Sequence, residues 1–405
     1  MSKEATKSLR ALLLISLVLL PGVAAADAIT DWNEIAVTTA AAGKHGASDA
    51  SRTTALVHAA MFDAVNAIEG RYAPYKVKVT APARASAEAA AVAAAYAALV
   101  RLYPDQKSPL DQAYAKALGR IGDGPAKTDG IAIGEKVGAE MVAVRANDGA
   151  TAPNVYRPVT SPGVYVVTTL PVSSHWGKVT PWTLERGSQL RPGSPPALTS
   201  EAWTRDCEEV RDLGAKKSTV RTAEQTDAAR FWAVVGPASW DPVLRAAAGA
   251  PGRTLVQNAR LFALAEMAAA DAYIAVFDAK YTFNFWRPIT AMRNGDGAMA
   301  PVPDWEPLID TPLHPEYPCA HCITSAAIAA VLEAELGPRF REVTMTSPTA
   351  PGVVRRWTTA KAYTDEVSVA RIYGGIHYRT STVVGQTMGR QIGELAVQRQ
   401  LRPIR

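Results

Sequence analysis

The stretch RTLVQNARLFALAEMAAADAYIAVFDA, residues 253–279, is apolar on nearly every face of a helix. A helix of that kind has no side to give to water, so it belongs at the buried centre of a bundle. Arg260, Glu266 and Asp271 interrupt it and would be costly in lipid, which argues for burial in protein and against a membrane span. Outward from this stretch, Ala-rich segments with helical spacing recur at 51–69, 86–102, 105–121, 129–147, 200–213, 222–235, 324–336 and 381–398. Ser200 and Thr222 stand where N-caps would open two of them. Strand-like alternation is scarce, so the fold class is all-α, a helical bundle. Residues 149–200 break the pattern with eight prolines and a short β-prone patch at 164–168. Tyr156, Tyr165, His175, Trp176 and Trp182 give this excursion aromatic side chains to pack. It is therefore expected to be a long loop lying across one helical domain of residues 27–405.

Of the 405 residues, 48% are apolar, enough to fill a sizeable core and to exclude disorder for the bulk of the chain. The 43 Lys and Arg against 38 Asp and Glu leave a charge of +5, of which Lys3, Glu4, Lys7 and Arg10 supply +2. The remaining +3 gives no reason to expect a nucleic-acid partner. Residues 1–26 have the form of an export signal: a basic start, an apolar run at 11–20, a break at Pro21-Gly22, and Ala24, Ala25 and Ala26 before a cleavage point at Asp27. The expected mature chain has no membrane span and works in the periplasm or outside the cell. Three cysteines allow one intramolecular disulfide, and Cys319 with Cys322, spaced C-x-x-C, are a candidate pair that leaves Cys207 over. Ile323 follows Cys322, so the segment is no haem attachment site, and a single C-x-x-C does not make a zinc site.

Several common catalytic motifs are absent, among them G-x-x-x-x-G-K, G-x-G-x-x-G opening a helix, G-x-S-x-G and H-E-x-x-H. What remains is a cluster of basic and imidazole side chains in apolar surroundings. Lys280 and Arg287 bracket the aromatic run of Lys280-Tyr281-Thr282-Phe283-Asn284-Phe285-Trp286-Arg287-Pro288, directly after the most buried helix, and two buried cations demand an anion. His314-Pro315-Glu316-Tyr317-Pro318-Cys319-Ala320-His321-Cys322 is a Pro-rich approach to a helix start, where free backbone N–H groups favour oxyanions. Arg371 precedes His377 by six residues, with Gly374 and Gly375 between them. Read one at a time, Lys280 and Arg287 could snorkel from a helix end, and His321 could be a satisfied structural histidine.

In this order the three elements resemble the signature of the vanadium-dependent haloperoxidase and type 2 phosphatidic acid phosphatase superfamily: K-x6-R-P, then P-S-G-H, then S-R-x5-H-x3-D. Lys280, Arg287 and Pro288 match the first part in full. Pro318 and His321 match the second, with Cys319 for Ser and Ala320 for Gly. Arg371 and His377 match the third, with Ala370 for Ser and Ser381 for Asp. Upstream, Asp31-Trp32-Asn33 and the segment at 57–65 are similar to the longer, exported haloperoxidase-type members.

The resemblance implies an oxyanion, vanadate, held by Lys280, Arg287, Arg371 and the 319–320 segment, with His377 bonded to its metal. His321 would be the general acid/base, Lys280 would polarise peroxide for attack by halide, and His314 would stand near the halide entrance. The partners implied are hydrogen peroxide and a halide, or a phosphate ester. The departures leave alternatives open. Cys319 in a disulfide offers no donor to the oxyanion, and Ser381 leaves His377 without the charged neighbour that Asp would supply. An acid phosphatase using the same cage, or a drifted oxyanion-binding protein, are the competing readings.

Overall fold

The computed structural model describes residues 27–404 apart from 45, 157–158, 168 and 297–298. Residues 1–26, read above as an export signal, lie outside the described residues. Among the described residues there are thirteen α-helices and one β-hairpin. In chain order the helices are α1 (Ala28–Ala42), α2 (Ala47–Glu69), α3 (Ala87–Leu102), α4 (Lys107–Leu118), α5 (Pro125–Val144), α6 (Glu201–Gly214), α7 (Ala223–Phe231), α8 (Asp241–Ala248), α9 (Leu255–Phe283), α10 (Pro288–Asn294), α11 (Ala320–Leu336), α12 (Ala360–Tyr373) and α13 (Arg379–Arg399). The hairpin pairs β1 (Arg339–Ser347) antiparallel with β2 (Ala350–Thr359). None of the described helices is long and apolar enough to cross a membrane.

The central stretch forms α9, which starts at a capping box: Thr254 Oγ1 accepts from the Gln257 amide while Gln257 Oε1 accepts from the Thr254 amide. It packs on α2 from one side and on α11 and α13 from the other. Its interior charges are each satisfied by protein. Arg260 donates to Leu401 O and pairs with Glu335, while Glu266 accepts from Thr54 and Trp240. Asp271 accepts the three consecutive amides of Trp182, Thr183 and Leu184 at 2.7, 2.7 and 3.0 Å. Those amides belong to the Pro-rich excursion, which is thereby strapped along α9. Arg191 completes the strap with a bidentate pair to Asp278 at 2.7 and 2.9 Å. Val164 in the β-prone patch makes only a single bridge, to Phe285.

Small residues set the two closest helix pairings. In α5, Gly130, Gly134 and Gly138 lie against the backbone of α3. In α13, Gly385, Gly389 and Gly393 lie against α11. A glycine every fourth residue gives each helix a bare ridge on one face, so the neighbouring backbone can approach it closely.

Four helices, α1, α8, α10 and α12, were not expected from periodicity, nor was the hairpin. The hairpin carries β-branched residues with alternating burial, Val343 and Met345 on β1 facing inward, and Trp357 of β2 packs 5.5 Å from the Trp232 ring. Helix α11 begins four residues earlier than its apolar periodicity suggests, because Cys319 acts as its N-cap and its Sγ accepts from the Cys322 amide at 3.3 Å.

Candidate active site

Lys280 and Arg287 come to the same end of the bundle because α9 stops between them. Asn284 takes left-handed backbone, φ 50°, and its amide donates to Lys280 O at 2.8 Å. Pro288 then opens α10, with Arg287 as its N-cap residue. Both cations are buried, Lys280 on the last turn of α9. Lys280 Nζ donates to the carbonyls of Pro315 and Glu316 at 2.8 and 2.6 Å. Arg287 donates from Nε to His314 O at 2.9 Å and from Nη1 to Ile376 O at 2.7 Å. These two side chains thus tie the approach to α11 to the turn after α12.

Arg287 also fixes the tautomer of His377. Its Nη1 donates to His377 Nε2 at 3.2 Å, so the proton of the neutral ring sits on Nδ1. There it is donated to Glu316 Oε1 at 2.7 Å, while Ser381 Oγ is 3.4 Å away. Glu316 is fully buried, accepts the Tyr378 amide as well, and leaves Oε2 without a partner. The expectation that Ser381 deprives His377 of a charged neighbour is therefore corrected: Glu316 supplies one from the other side. The third motif element extends only four residues past His377, to Ser381, and so does not reach Glu316. The signal for Glu316 was a carboxylate lodged between Pro315 and Pro318 in an otherwise apolar run.

Arg371 lies in the last turn of α12, buried, with Nη1 donating to Trp232 O and Nε bonded to nothing. His321 falls in the first turn of α11, and its Nε2 is 2.9 Å from Val234 O. His314 accepts from Arg287 Nη2 at 3.0 Å through Nδ1 and meets the edge of Phe277. Cys319 and Cys322 are joined in a disulfide. The Cys319 amide donates to Ser381 O, so neither its amide nor its sulfur is left for the oxyanion contact expected of it. Ala320 stands at the open N-terminus of α11, where backbone N–H groups lack helical partners. Cys207 is a free, buried thiol beside the Trp203, Trp286 and Tyr378 cluster, away from the disulfide.

A cavity of about 240 Å³ opens onto His314, Ala320, His321, Arg371 and His377. Lys280 and Arg287 stand behind this wall. The electrostatics of the site are those of a cage short of negative charge. Burial first, then repulsion from Arg287, holds Lys280 well below its ordinary value and Arg371 down to about 9, while burial alone brings Arg287 down to about 10 against the pull of Glu316. Burial and the surrounding cations keep His377 and His314 neutral, and burial with Arg371 pushes His321 down to about 3. Glu316, the carboxylate facing Lys280 and Arg287, is itself pushed up to about 7 by burial. Three buried cations against one carboxylate, an unpartnered Arg371 Nε and an open helix N-terminus fit an oxyanion, and no arrangement of them suits a metal cation.

A family model described as the VCPO second helical-bundle domain matches residues 260–405, which contain Lys280, Arg287, His314, Glu316, His321, Arg371 and His377. The fold of the chain is similar to the crystal structure of the first bacterial vanadium-dependent iodoperoxidase, with 25% identity and a TM-score of 0.79 over 93% of this chain and 95% of that one. It is also similar to the apo form of a bacterial vanadium-dependent chloroperoxidase, at 16% identity and a TM-score of 0.70 over 86% of this chain and 92% of that one. The holo form of a bacterial vanadium-dependent chloroperoxidase gives a TM-score of 0.69 at 16% identity, covering 93% of each chain. No curated protein matches the sequence.

Proposed function

We propose that this chain, which belongs to the vanadium haloperoxidase family, is a vanadate-dependent enzyme that oxidises halide with hydrogen peroxide after export to the periplasm or the cell exterior. The observation that carries this reading is the buried cage of Lys280, Arg287 and Arg371 around a neutral His377, with Arg371 Nε unpartnered. Export is supported by the signal-like first 26 residues and by the disulfide.

When bound, vanadate supplies a Lewis-acidic centre that activates hydrogen peroxide toward two-electron oxidation of halide. The residues that would hold it are Lys280, Arg287, Arg371, His377 and the Ala320 amide. Lys280 keeps one ammonium proton beyond its two carbonyl bonds, and Arg371 keeps its Nε–H. Arg287 Nη1 now holds His377 Nε2. His377 Nε2 is the nitrogen that would hold the group, and the Arg287 N–H that now occupies it would be available to one of the group's oxygens. Glu316 holds the His377 proton on Nδ1, which keeps the Nε2 lone pair aimed away from it. His321 is neutral, and with Nε2–H turned to Val234 O its Nδ1 carries the lone pair that takes a proton from peroxide.

Bromination of a cyclic diketone by the mature protein with hydrogen peroxide and bromide, with and without orthovanadate, tests the proposal. Vanadate-dependent bromination is the expected result. Phosphate-ester hydrolysis that vanadate inhibits would assign the cage to phosphatase chemistry, and tight vanadate binding with neither turnover would make it an oxyanion binder.

A further inference from the structure

Hydrogen peroxide and a halide ion are each about the size of a water molecule or two, and the cavity above Arg371 and His377 is about 240 Å³, several times what they need. Much of its lining is apolar, with Tyr273 and Phe277 from α9 and Pro312 and Leu313 from the segment before His314. Three aliphatic side chains from three separate segments converge on its mouth and are left half in water, Val172 at 42%, Leu313 at 43% and Val235 at 57% exposure. Scattered singly, such residues would mean nothing; gathered around one opening over a cationic floor, they form a binding surface. The mouth is also fastened in place. The Val172 amide donates to Leu313 O at 2.9 Å, Ser48 and Ser173 hydroxyls are 2.8 Å apart, and Tyr281 Oη donates to Val172 O. A preformed apolar mouth loses little conformational freedom when it is filled.

Resting on the haloperoxidase reading above, we propose that the cavity seats the organic acceptor itself, an uncharged, ring-sized, electron-rich phenol or enol. Its apolar body lies against Phe277, Leu313, Val172 and Val235, and halogenation takes place there. The chemistry balances in two steps. Hydrogen peroxide, halide and one proton give hypohalous acid and water, the halide losing two electrons to the peroxide oxygen. The halogen then forms a bond to an electron-rich ring carbon, and the displaced proton leaves with hydroxide as water. An acceptor held in the cavity meets the oxidised halogen before it reaches bulk solvent. Acceptors are then chosen by fit as well as by reactivity.

The test is a competition between thymol and 4-hydroxybenzenesulfonate at equal concentration, with the vanadate-loaded full chain, bromide and peroxide, set against reagent hypobromite at the same pH. The enzyme is expected to favour thymol over the sulfonate at least about tenfold more than reagent hypobromite does, the discrimination one well-made apolar contact supplies. The double variant Leu313→Asn with Val235→Asn is expected to return the ratio to the reagent value while iodide oxidation to triiodide, run without any organic acceptor, is unchanged. A wild-type ratio equal to that of hypobromite, or a bias that survives in the double variant, overturns the proposal. Absence of vanadate-dependent triiodide in the wild type would instead sink the haloperoxidase reading. Seating of thymol would then be read directly by saturation-transfer NMR. A signal lost in the double variant supports the seat, and an equal signal in both proteins refutes it.

Discussion

Replacing the glycines of α13 by alanine should separate it from α11, and the structure ranks the three positions. A Cβ at Gly385, Gly389 or Gly393 would stand 3.0, 2.9 or 2.7 Å from the Cβ of Cys322, Ala326 or Ala330. Carbon atoms rest at about 3.5 Å, so each substitution asks the helices to part by roughly 0.5–0.8 Å. The backbone adds to this, since a carbonyl cannot step aside as a side chain can. At Gly385 the added Cβ is 2.8 Å from Cys319 O, while at Gly389 and Gly393 the carbonyls of Ile323 and Ala327 are nearer still. Overpacking of this kind costs about 1–3 kcal/mol, and alanine returns about 1 kcal/mol of helix propensity. Gly389→Ala and Gly393→Ala should therefore lose about 1–2 kcal/mol in urea unfolding, Gly385→Ala less. Gly122→Ala, with nothing near its Cβ, should stay within about 0.5 kcal/mol of wild type. The function should follow, because Ile323 is two residues from His321 and α13 starts two residues after His377. A displacement approaching 1 Å between catalytic groups costs up to about a hundredfold in rate, so Gly389→Ala should lower vanadate-dependent bromination on the order of tenfold. A Gly389→Ala protein as stable as wild type or more so would refute the close-packed clamp and leave helix propensity as the only term.

Three further outcomes follow from particular side chains. Glu316→Gln should weaken vanadate binding about 10- to 100-fold by removing the carboxylate that orients His377, and Ser381→Asp in the same chain should restore part of the loss; unchanged binding in Glu316→Gln would make the 2.7 Å contact incidental. Native protein should show no reactive thiol, one after denaturation without reductant and three after reduction, because Cys207 is buried with its thiol pushed up and the other two form the disulfide; three thiols without reductant would contradict the Cys319–Cys322 bond. Burial pushes Asp271 up to about 6 from its ordinary 3.8, so the folded chain holds that proton more firmly than the unfolded chain. Its contribution to stability is greatest in acid and fades as pH rises through this window. The stability of Asp271→Asn relative to wild type should then improve by about 2 kcal/mol between pH 4.5 and 7 in urea unfolding, and a constant difference would remove Asp271 as the titrating group.

How much of this was legible in the sequence depended on where the decisive partner lay. The centre of the bundle was readable because α9 carries its own signal, an apolar surface all round. The spacing of Lys280 and Arg287 was readable as a motif, yet what makes the spacing work is the left-handed Asn284 between them, which no periodicity shows. Helices α8 and α10 run for only 8 and 7 residues, too few for a periodicity to show, while α1 and α12 carry polar residues that the fold buries, Thr30 and Asn33 in one and Thr364, Ser368 and Arg371 in the other, so their apolar pattern is faint. The hairpin is a two-stranded ribbon whose Trp357 packs on Tyr363 of the helix that follows it and on Trp232, more than a hundred residues earlier in the sequence. Glu316 was hidden for the same kind of reason. Its role is defined by His377, sixty-one residues later, and only the folding of α11 against α13 brings the two together.

The central claim is that His377, set among Lys280, Arg287 and Arg371, is where vanadate binds and acts. The most direct measurement is peroxide- and bromide-driven bromination by the mature chain across a titration of orthovanadate, with His377→Ala run beside wild type and helical circular dichroism recorded for both. Saturable, vanadate-dependent bromination in wild type and none in an equally helical His377→Ala is the outcome expected. Vanadate-stimulated bromination retained in His377→Ala would contradict it and move the metal to another part of the molecule.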